Sequence, residues 1–416
     1  MIGSAMSGTT NFSQLTYTKS QFSMKKNVCF PLAVVVLIAG AFVAGCNRSS
    51  ASASPDHLRI VGSGFVTADG RPFQWRGITA FRLLEHVARG QDADVERYLS
   101  WAESQRLTVV RVLAMGQGFM SLSPEAGRAA LPRLLDAAAR HNLHVEIVAL
   151  AGTRDVSGDL DAHLAAVGEI ASQQGNALIE IANEPGHPSQ AEDVHRPEVL
   201  SRLRSRVPPT VPVALGLVEG LDRKSAGDYL TWHSPRDDRF DGWGHVLALA
   251  EGPELISKWN KPVVSDEPIG AGERFEAGRR DDQPARFRAA AVVTRLAGLG
   301  ATFHYEGGLQ AVVPTGRQLE CFKAWNEAWT LLPADVERSG AFRKAGDPEA
   351  AILDFRHDRA LAVFERQRGN TAWVAIINPG EGFAMQWAAG WIPGEARRLN
   401  GVWLVNARRA PRQPIR

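Results

Sequence analysis

Cysteine is scarce in this sequence of 416 residues; Cys29, Cys46 and Cys321 are all there is. They form no Cys-x-x-Cys pair and join no Cys/His cluster of zinc-finger spacing, so neither a disulfide framework nor a structural zinc site is expected. A dominant charge is missing too. Lys and Arg number 47 against 45 Asp and Glu, a net charge of +2. A nucleic-acid binder needs a concentrated basic face, and pairs such as Arg279-Arg280 and Arg408-Arg409 read as solvated surface. No internal repeat is visible. No glycine-rich phosphate loop follows the first apolar strand, where "RGITAFRLL" stands, which argues against a doubly wound nucleotide-binding sheet. That strand also lacks His-x-His. A metal-dependent barrel hydrolase would have to draw on His233, His304 and Asp266, a poor ligand set, so no metal and no cofactor is expected.

What is present is an ordinary globular balance, 44% hydrophobic and 22% charged. One long apolar run stands apart. Lys25-Lys26 precede Val28 to Gly45, which ends Val43-Ala44-Gly45-Cys46 before a Ser/Ala-rich stretch. A positive start, an apolar middle and small residues at the end make a secretory signal. Small residues followed by Cys resemble a bacterial lipobox, which implies Cys46 as the lipidated mature N-terminus. An uncleaved membrane anchor is the alternative, since a run of about 18 residues can span a bilayer. Both place the rest of the chain outside the cytoplasm. Met24 stands just before the lysines, so residues 1–23 read as an over-extended start, and 47–55 as a flexible tether.

From residue 56 the chain alternates apolar runs with amphipathic helices. Phe73–Phe81, Thr108–Met115, His144–Leu150, Ala177–Ala182, Val211–Val218, Tyr229–His233, Pro262–Ser265 and Ala301–Tyr305 read as eight strands. Ser123-Pro124-Glu125 is a helix start, with a capping hydroxyl, a first-turn proline and an early acid. Leu160–Ser172, Pro284–Leu299 and Gln318–Leu332 are further helices. Eight strands with intervening helices predict a (β/α)8 TIM barrel over 56–338. Beyond it Ala351–Arg356, Leu361–Arg366 and Thr371–Asn378 predict a small antiparallel β module over 339–416, with a turn at Arg368-Gly369-Asn370.

Barrel chemistry sits at the C-terminal ends of strands. Two ends present a carboxylate followed by proline: Asn183-Glu184-Pro185 after the fourth strand and Asp266-Glu267-Pro268 after the seventh. Glycoside hydrolysis needs such a pair flanking the scissile bond, one protonated and one ionised.

The ordered set "WRGITAF", Arg111 in "VVRVLAM", "IANEP" and "KPVVSDEPIG" resembles the cellulase-like clan of retaining glycoside hydrolases, most closely family 5, over about residues 60–335. The resemblance implies Glu184 as acid/base, Glu267 as nucleophile, Asn183 on the sugar 2-hydroxyl and Arg111 beside the nucleophile. It places His233 in the substrate site as the strand-six histidine. Arg111 is expected to keep Glu267 ionised, and partial burial beside that charge to keep Glu184 protonated. Two positions depart from the clan. Pro235 stands where a tyrosine is common. The eighth strand reads Phe303-His304-Tyr305-Glu306 where a tryptophan is common, which makes His304 or Tyr305 the substitute. The implied partners are an oligo- or polysaccharide and, through Cys46, a membrane. A catalytically silent glycan-binding lipoprotein is the alternative.

Asp266 is the alternative to Glu267 as the active acid, Arg111 is open to a purely structural ion pair, and packing competes with function at the aromatics. Trp75, Trp232 and Trp243 are open to either sugar stacking or core packing. Trp325 and Trp329, four apart on the last helix, read as helix–barrel packing.

Overall fold

A computed structural model describes residues 57–411, apart from 119, 157, 217–226, 273–279, 337–339 and 357–359. The signal, Cys46 and the tether lie outside the described residues.

Eight parallel strands form the barrel: β1 (Arg76–Thr79), β2 (Val109–Leu113), β3 (His144–Leu150), β4 (Ala177–Ala182), β5 (Val213–Ala214), β6 (Leu230–Thr231), β7 (Val263–Ser265) and β8 (Gly300–Phe303). Their spatial order is β5-β4-β3-β2-β1-β8-β7-β6, each pair parallel. At the remaining seam the Asp228 amide donates to the Val213 carbonyl at 2.6 Å. All eight apolar runs became barrel strands because residues buried on both faces must be apolar throughout. The structure has the expected fold class, a TIM barrel with a β module.

Helices cover the outside where the capping chemistry allows them to start. Ser123 accepts from the Ala126 amide and opens Pro124–Arg140. Asp159 does the same for Leu160–Gln174, which Gly175 closes at φ 74°. In the helix Gly316–Ala328, Phe322 and Trp325 pack on Phe303, with ring centroids 5.2 and 5.6 Å away. Trp325 also meets Trp329, at 5.3 Å.

A three-stranded antiparallel sheet (Arg59–Val61, Gly64–Val66, Pro72–Phe73) covers the N-terminal end of the barrel. Its Phe65 packs on Trp75 (5.2 Å) and Tyr229 (5.5 Å), among Val109, Leu178, Ala214 and Val264. Trp75 is therefore at the end of the barrel away from the mouth, where it cannot meet a sugar. Trp232 and Trp243 are buried in the main core.

The C-terminal module is a five-stranded antiparallel sheet of Ala341–Lys344, Ala362–Arg368, Thr371–Ile377, Val402–Arg409 and Trp391–Leu399, in that spatial order. A short pair, Ile352–Phe355 with Met385–Trp387, flanks it. The expected turn is a two-residue hairpin loop, with Arg368 paired to Thr371 and Gly369 at φ 56°. The sheet docks on the helix Pro284–Ala297: Arg366 donates to the Leu296 carbonyl (2.8 Å) and Arg288 to that of Asn400 (3.2 Å). Phe364, Ala375, Ile377, Val402 and Leu404 join the barrel's core there.

Candidate active site

Strands β2, β4, β6 and β7 deliver the candidate residues to one end of the barrel. Arg111, at the middle of β2, is fully buried. Its Nη1 donates to Glu267 Oε2 at 2.9 Å, and its Nη2 to Glu180 Oε2 at 2.7 Å and Asn183 Oδ1 at 2.8 Å. Asp266 Oδ2 lies 3.0 Å from the same Nη2, and Glu146 Oε2 lies 3.5 Å from Nε. The guanidinium sits over the Phe81 ring at 5.2 Å. A charge taken out of water needs partners, and carboxylates surround this one, with Nε facing Glu146 but making no hydrogen bond.

Glu267 directly follows β7 with Asp266. Its second oxygen accepts from Arg236 Nη2 at 3.1 Å, and the same nitrogen donates to the Glu267 carbonyl. Burial works against its charge. The charges of His233, His304, Arg111 and Arg236 outweigh burial and hold the carboxyl far below the usual carboxylate range. Glu267 is ionised, as expected beside Arg111.

Glu184 follows β4 with the backbone at φ 43°, a region that non-glycine residues seldom occupy. Two neighbours fix that turn. Gln190 donates to the Asn183 carbonyl at 2.5 Å, and the His187 amide donates to that of Glu184 at 2.7 Å. Glu184 Oε1 faces His233 Nδ1 at 3.1 Å.

The expectation that Glu184 holds its proton is corrected here. The hydrogen bond from His233 lowers its pKa below the ordinary value, outweighing both burial and the charge of Glu267. Burial disfavours the His233 charge in turn, but Glu267, Asp266 and Glu184 push its pKa up to about 9. At neutral pH the resting proton is on the imidazole.

His233 brings the two glutamates together. One oxygen each of Glu184 and Glu267 and one His233 nitrogen all lie within 4.8 Å of one another. His233 Nε2 is 3.8 Å from both Glu267 Oε2 and Asp266 Oδ2. Glu180, His233 and Asp266 form a second such trio. Either trio offers three donor atoms to a cation. Such an ion would have to displace the His233 proton, and Arg111 already lies against Glu180 and Asp266.

The eighth strand splits its two candidates. His304 is buried with Nδ1 3.0 Å from Thr79 Oγ1, and burial lowers its pKa to about 4. Glu267, Arg236, Arg111 and His233 all act on its ring, so it borders the mouth. Tyr305 does not. Successive strand residues face opposite ways, and Tyr305 turns with Phe303, ring centroids 5.6 Å apart. Its hydroxyl donates to the Val312 carbonyl at 2.7 Å and stands 3.0 Å from that of Tyr98. It is fully buried in the core and is a packing residue. Asn183, Arg111 and His233 are in the cluster with the glutamates; Cys46 lies outside the described residues.

Sequence reasoning missed Arg236, Glu146 and Glu180. The two glutamates left a signal: each interrupts an apolar strand, "HVEIVAL" and "ALIEIA", where a carboxylate requires a buried partner. Arg236 sits in an irregular loop and left none.

No protein-family model and no curated sequence matches the chain. Solved structures do. One, described as a glycoside hydrolase, is 13% identical with a TM-score of 0.58, covering 85% of this chain and 97% of its own. Another, a glycoside hydrolase family 5 protein from Bacteroides vulgatus ATCC 8482, is 12% identical with a TM-score of 0.56, covering 85% and 93%. At such identity the likeness is one of fold. It extends beyond the barrel, since coverage this high takes in part of the C-terminal module as well. The architecture that the strand-end motifs suggested is the one these structures have.

Proposed function

We propose that this chain is a retaining glycoside hydrolase that cleaves a β-linked glycan by double displacement. The observation that carries the reading is the proximity of Glu184 and Glu267, with oxygens within 4.8 Å. Retaining enzymes hold their carboxyl groups about 5–5.5 Å apart, whereas inverting enzymes need roughly 6.5–9.5 Å to admit a water. Glu267, ionised and held by two guanidiniums, attacks the anomeric carbon. Glu184 protonates the departing oxygen, drawing its proton from His233 across the hydrogen bond they share. Glu184 then takes a proton from water, which attacks the glycosyl-enzyme and frees Glu267. Asn183 Oδ1, already held by Arg111, is placed to accept from the sugar 2-hydroxyl, and His304 borders the same space. The glycoside hydrolase descriptions of the structural neighbours support the reaction class.

The test is hydrolysis of aryl β-glycosides and β-linked polysaccharides followed by NMR of the anomeric proton. A first product of β configuration supports the reading; an α product refutes retention. A purified protein that binds glycans and cleaves none would favour the silent binding lipoprotein instead.

The same reading places the enzyme in the cell envelope, exported and anchored through lipid on Cys46. Its support is the lysine pair, the apolar run and Ala44-Gly45-Cys46. Mass spectrometry of the mature N-terminal peptide checks it. A diacylated Cys46 is the expected result, and a retained 24–45 segment overturns it.

A further inference from the structure

Below the mouth, the barrel interior departs from the branched apolar layers that usually fill such barrels. Arg111 of β2, Glu146 of β3, Glu180 of β4, Thr231 of β6 and Asp266 beyond β7 meet there, each 2% exposed or less. With Glu267, four carboxyl groups surround one guanidinium. That many like charges in so little water cannot all be ionised together. Tyr229 donates to Glu146 Oε1 at 3.0 Å, and burial holds Glu146 well above the usual carboxylate range. Glu180 is different. Thr231 donates to its Oε1 at 2.9 Å and Arg111 to its Oε2 at 2.7 Å. Burial pushes its pKa up to about 7, against the pull of Arg111.

The fork of Arg111 is thus divided, one nitrogen on Glu267 and the other on Glu180. We infer that Glu180 is a positioning residue that competes with Glu267 for Arg111, so that its ionisation decides how far the guanidinium neutralises the nucleophile. This rests on the hydrolase reading above. While Glu180 is protonated, the charge of Arg111 is left to Glu267 and Asp266, with neutral Asn183 still on Nη2, and damps the negative field at the anomeric carbon. Once Glu180 releases its proton to solvent, the guanidinium is shared. Glu267 becomes more nucleophilic, and the cationic transition state meets a more negative wall. The charged groups facing Glu180 are Arg111 from β2, Glu146 from β3, Glu184 at the end of β4, His233 beyond β6 and Asp266 with Glu267 beyond β7; Tyr229 faces it before β6 and His304 lies beyond β8. Glu267 and Glu184 are held below the usual carboxylate range, His304 is lowered to about 4 and His233 is raised to about 9. Burial raises Glu146 as well, so the comparison with Glu180→Gln is what assigns an inflection between these values to Glu180.

The experiment is kcat/KM of the full chain on an activated aryl β-glycoside between about pH 5 and 8. Wild type should show an inflection near pH 7 with the faster plateau above it. Glu180→Gln, locked in the neutral state, should lose the inflection and stay several-fold slower. An inflection that survives in Glu180→Gln overturns the inference, as does a wild-type profile flat through pH 7. Either result leaves the hydrolase reading standing. Should Glu180→Gln not fold, Thr231→Val removes one donor to Glu180 and must move the inflection upward; an unmoved inflection again overturns it. A wild type inactive at every pH refutes the hydrolase reading instead. Thermal unfolding then reads Glu180 directly. A carboxyl raised in the folded state withdraws stability as pH climbs through about 7, so wild type should lose Tm over that interval relative to Glu180→Gln. Parallel curves would end the proposal.

Discussion

His233 stands 3.1 Å from Glu184 and keeps it ionised at rest. The consequence is that the acid is charged through its neighbour. The proton that a leaving group requires waits on an imidazole whose pKa is raised to about 9.

The first prediction concerns that imidazole. His233→Asn removes the proton store, so activity on substrates with poor leaving groups should fall on the order of 10²-fold. The alkaline limb of kcat/KM should move down from the region of pH 9. Stability tests the same pair. A histidine whose pKa is raised by folding contributes stability that is complete below about pH 6.5 and disappears as pH rises through about 9. Wild type should therefore exceed His233→Asn by at most about 3 kcal/mol near pH 6, with the gap closing by pH 9. Urea denaturation at several pH values measures it. A gap independent of pH would mean that packing, not charge, is lost.

Glu184→Ala separates acid from scaffold. Activated aryl glycosides need little protonation, so their first step should persist while unactivated substrates lose roughly 10³-fold. Equal losses on both substrate kinds would remove Glu184 from the acid role. Added azide should accelerate the variant on activated substrates and give a β-glycosyl azide, because the anion attacks the glycosyl-enzyme from the face that water uses.

Glu267→Ala should lose on the order of 10⁴-fold or more, since both displacements pass through that carboxylate. Azide in the vacated space should yield the opposite anomer, an α-glycosyl azide from a β substrate. NMR of the product decides it. A β product here would mean that some other group is the nucleophile.

Much of this was legible in the sequence. The eight barrel strands were visible because residues buried on both faces are apolar without a break, and the strand-end glutamates because proline marks where each strand stops. Other features were hidden for identifiable reasons. Trp391–Leu399 is largely exposed, so its pattern of arginines and glutamate gives no alternation to read. Tyr305 and His304 are adjacent in sequence but opposite in facing, and sequence alone could not fix which one points at the mouth. The position of the proton was misread because partial burial argues for a neutral Glu184, while the deciding hydrogen bond comes from His233, 49 residues away.

The last prediction concerns Arg111 as the only buried cation between Glu146, Glu180, Asp266 and Glu267 among the described residues. Removing one member of a buried charge network leaves its partners uncompensated, which typically costs about 3–5 kcal/mol. Arg111→Met keeps much of the volume and deletes the charge. Glu146 and Glu180 can then be buried only by taking up protons, so their folded pKa values rise further above the unfolded ones, and Glu267 loses part of what holds it low. A carboxyl raised by folding contributes stability at acid pH and loses it as pH climbs. Arg111→Met should accordingly be only mildly destabilised near pH 5 and severely so near pH 8, as read by urea denaturation. Arg111→Lys restores a positive charge without the fork that reaches Glu267 and Glu180 together. It should recover part of the stability at pH 8 and little of the activity. Were Arg111→Met equally destabilised at both pH values, lost packing against Phe81 would be the cause, and the guanidinium would not be what holds these carboxylates in the barrel.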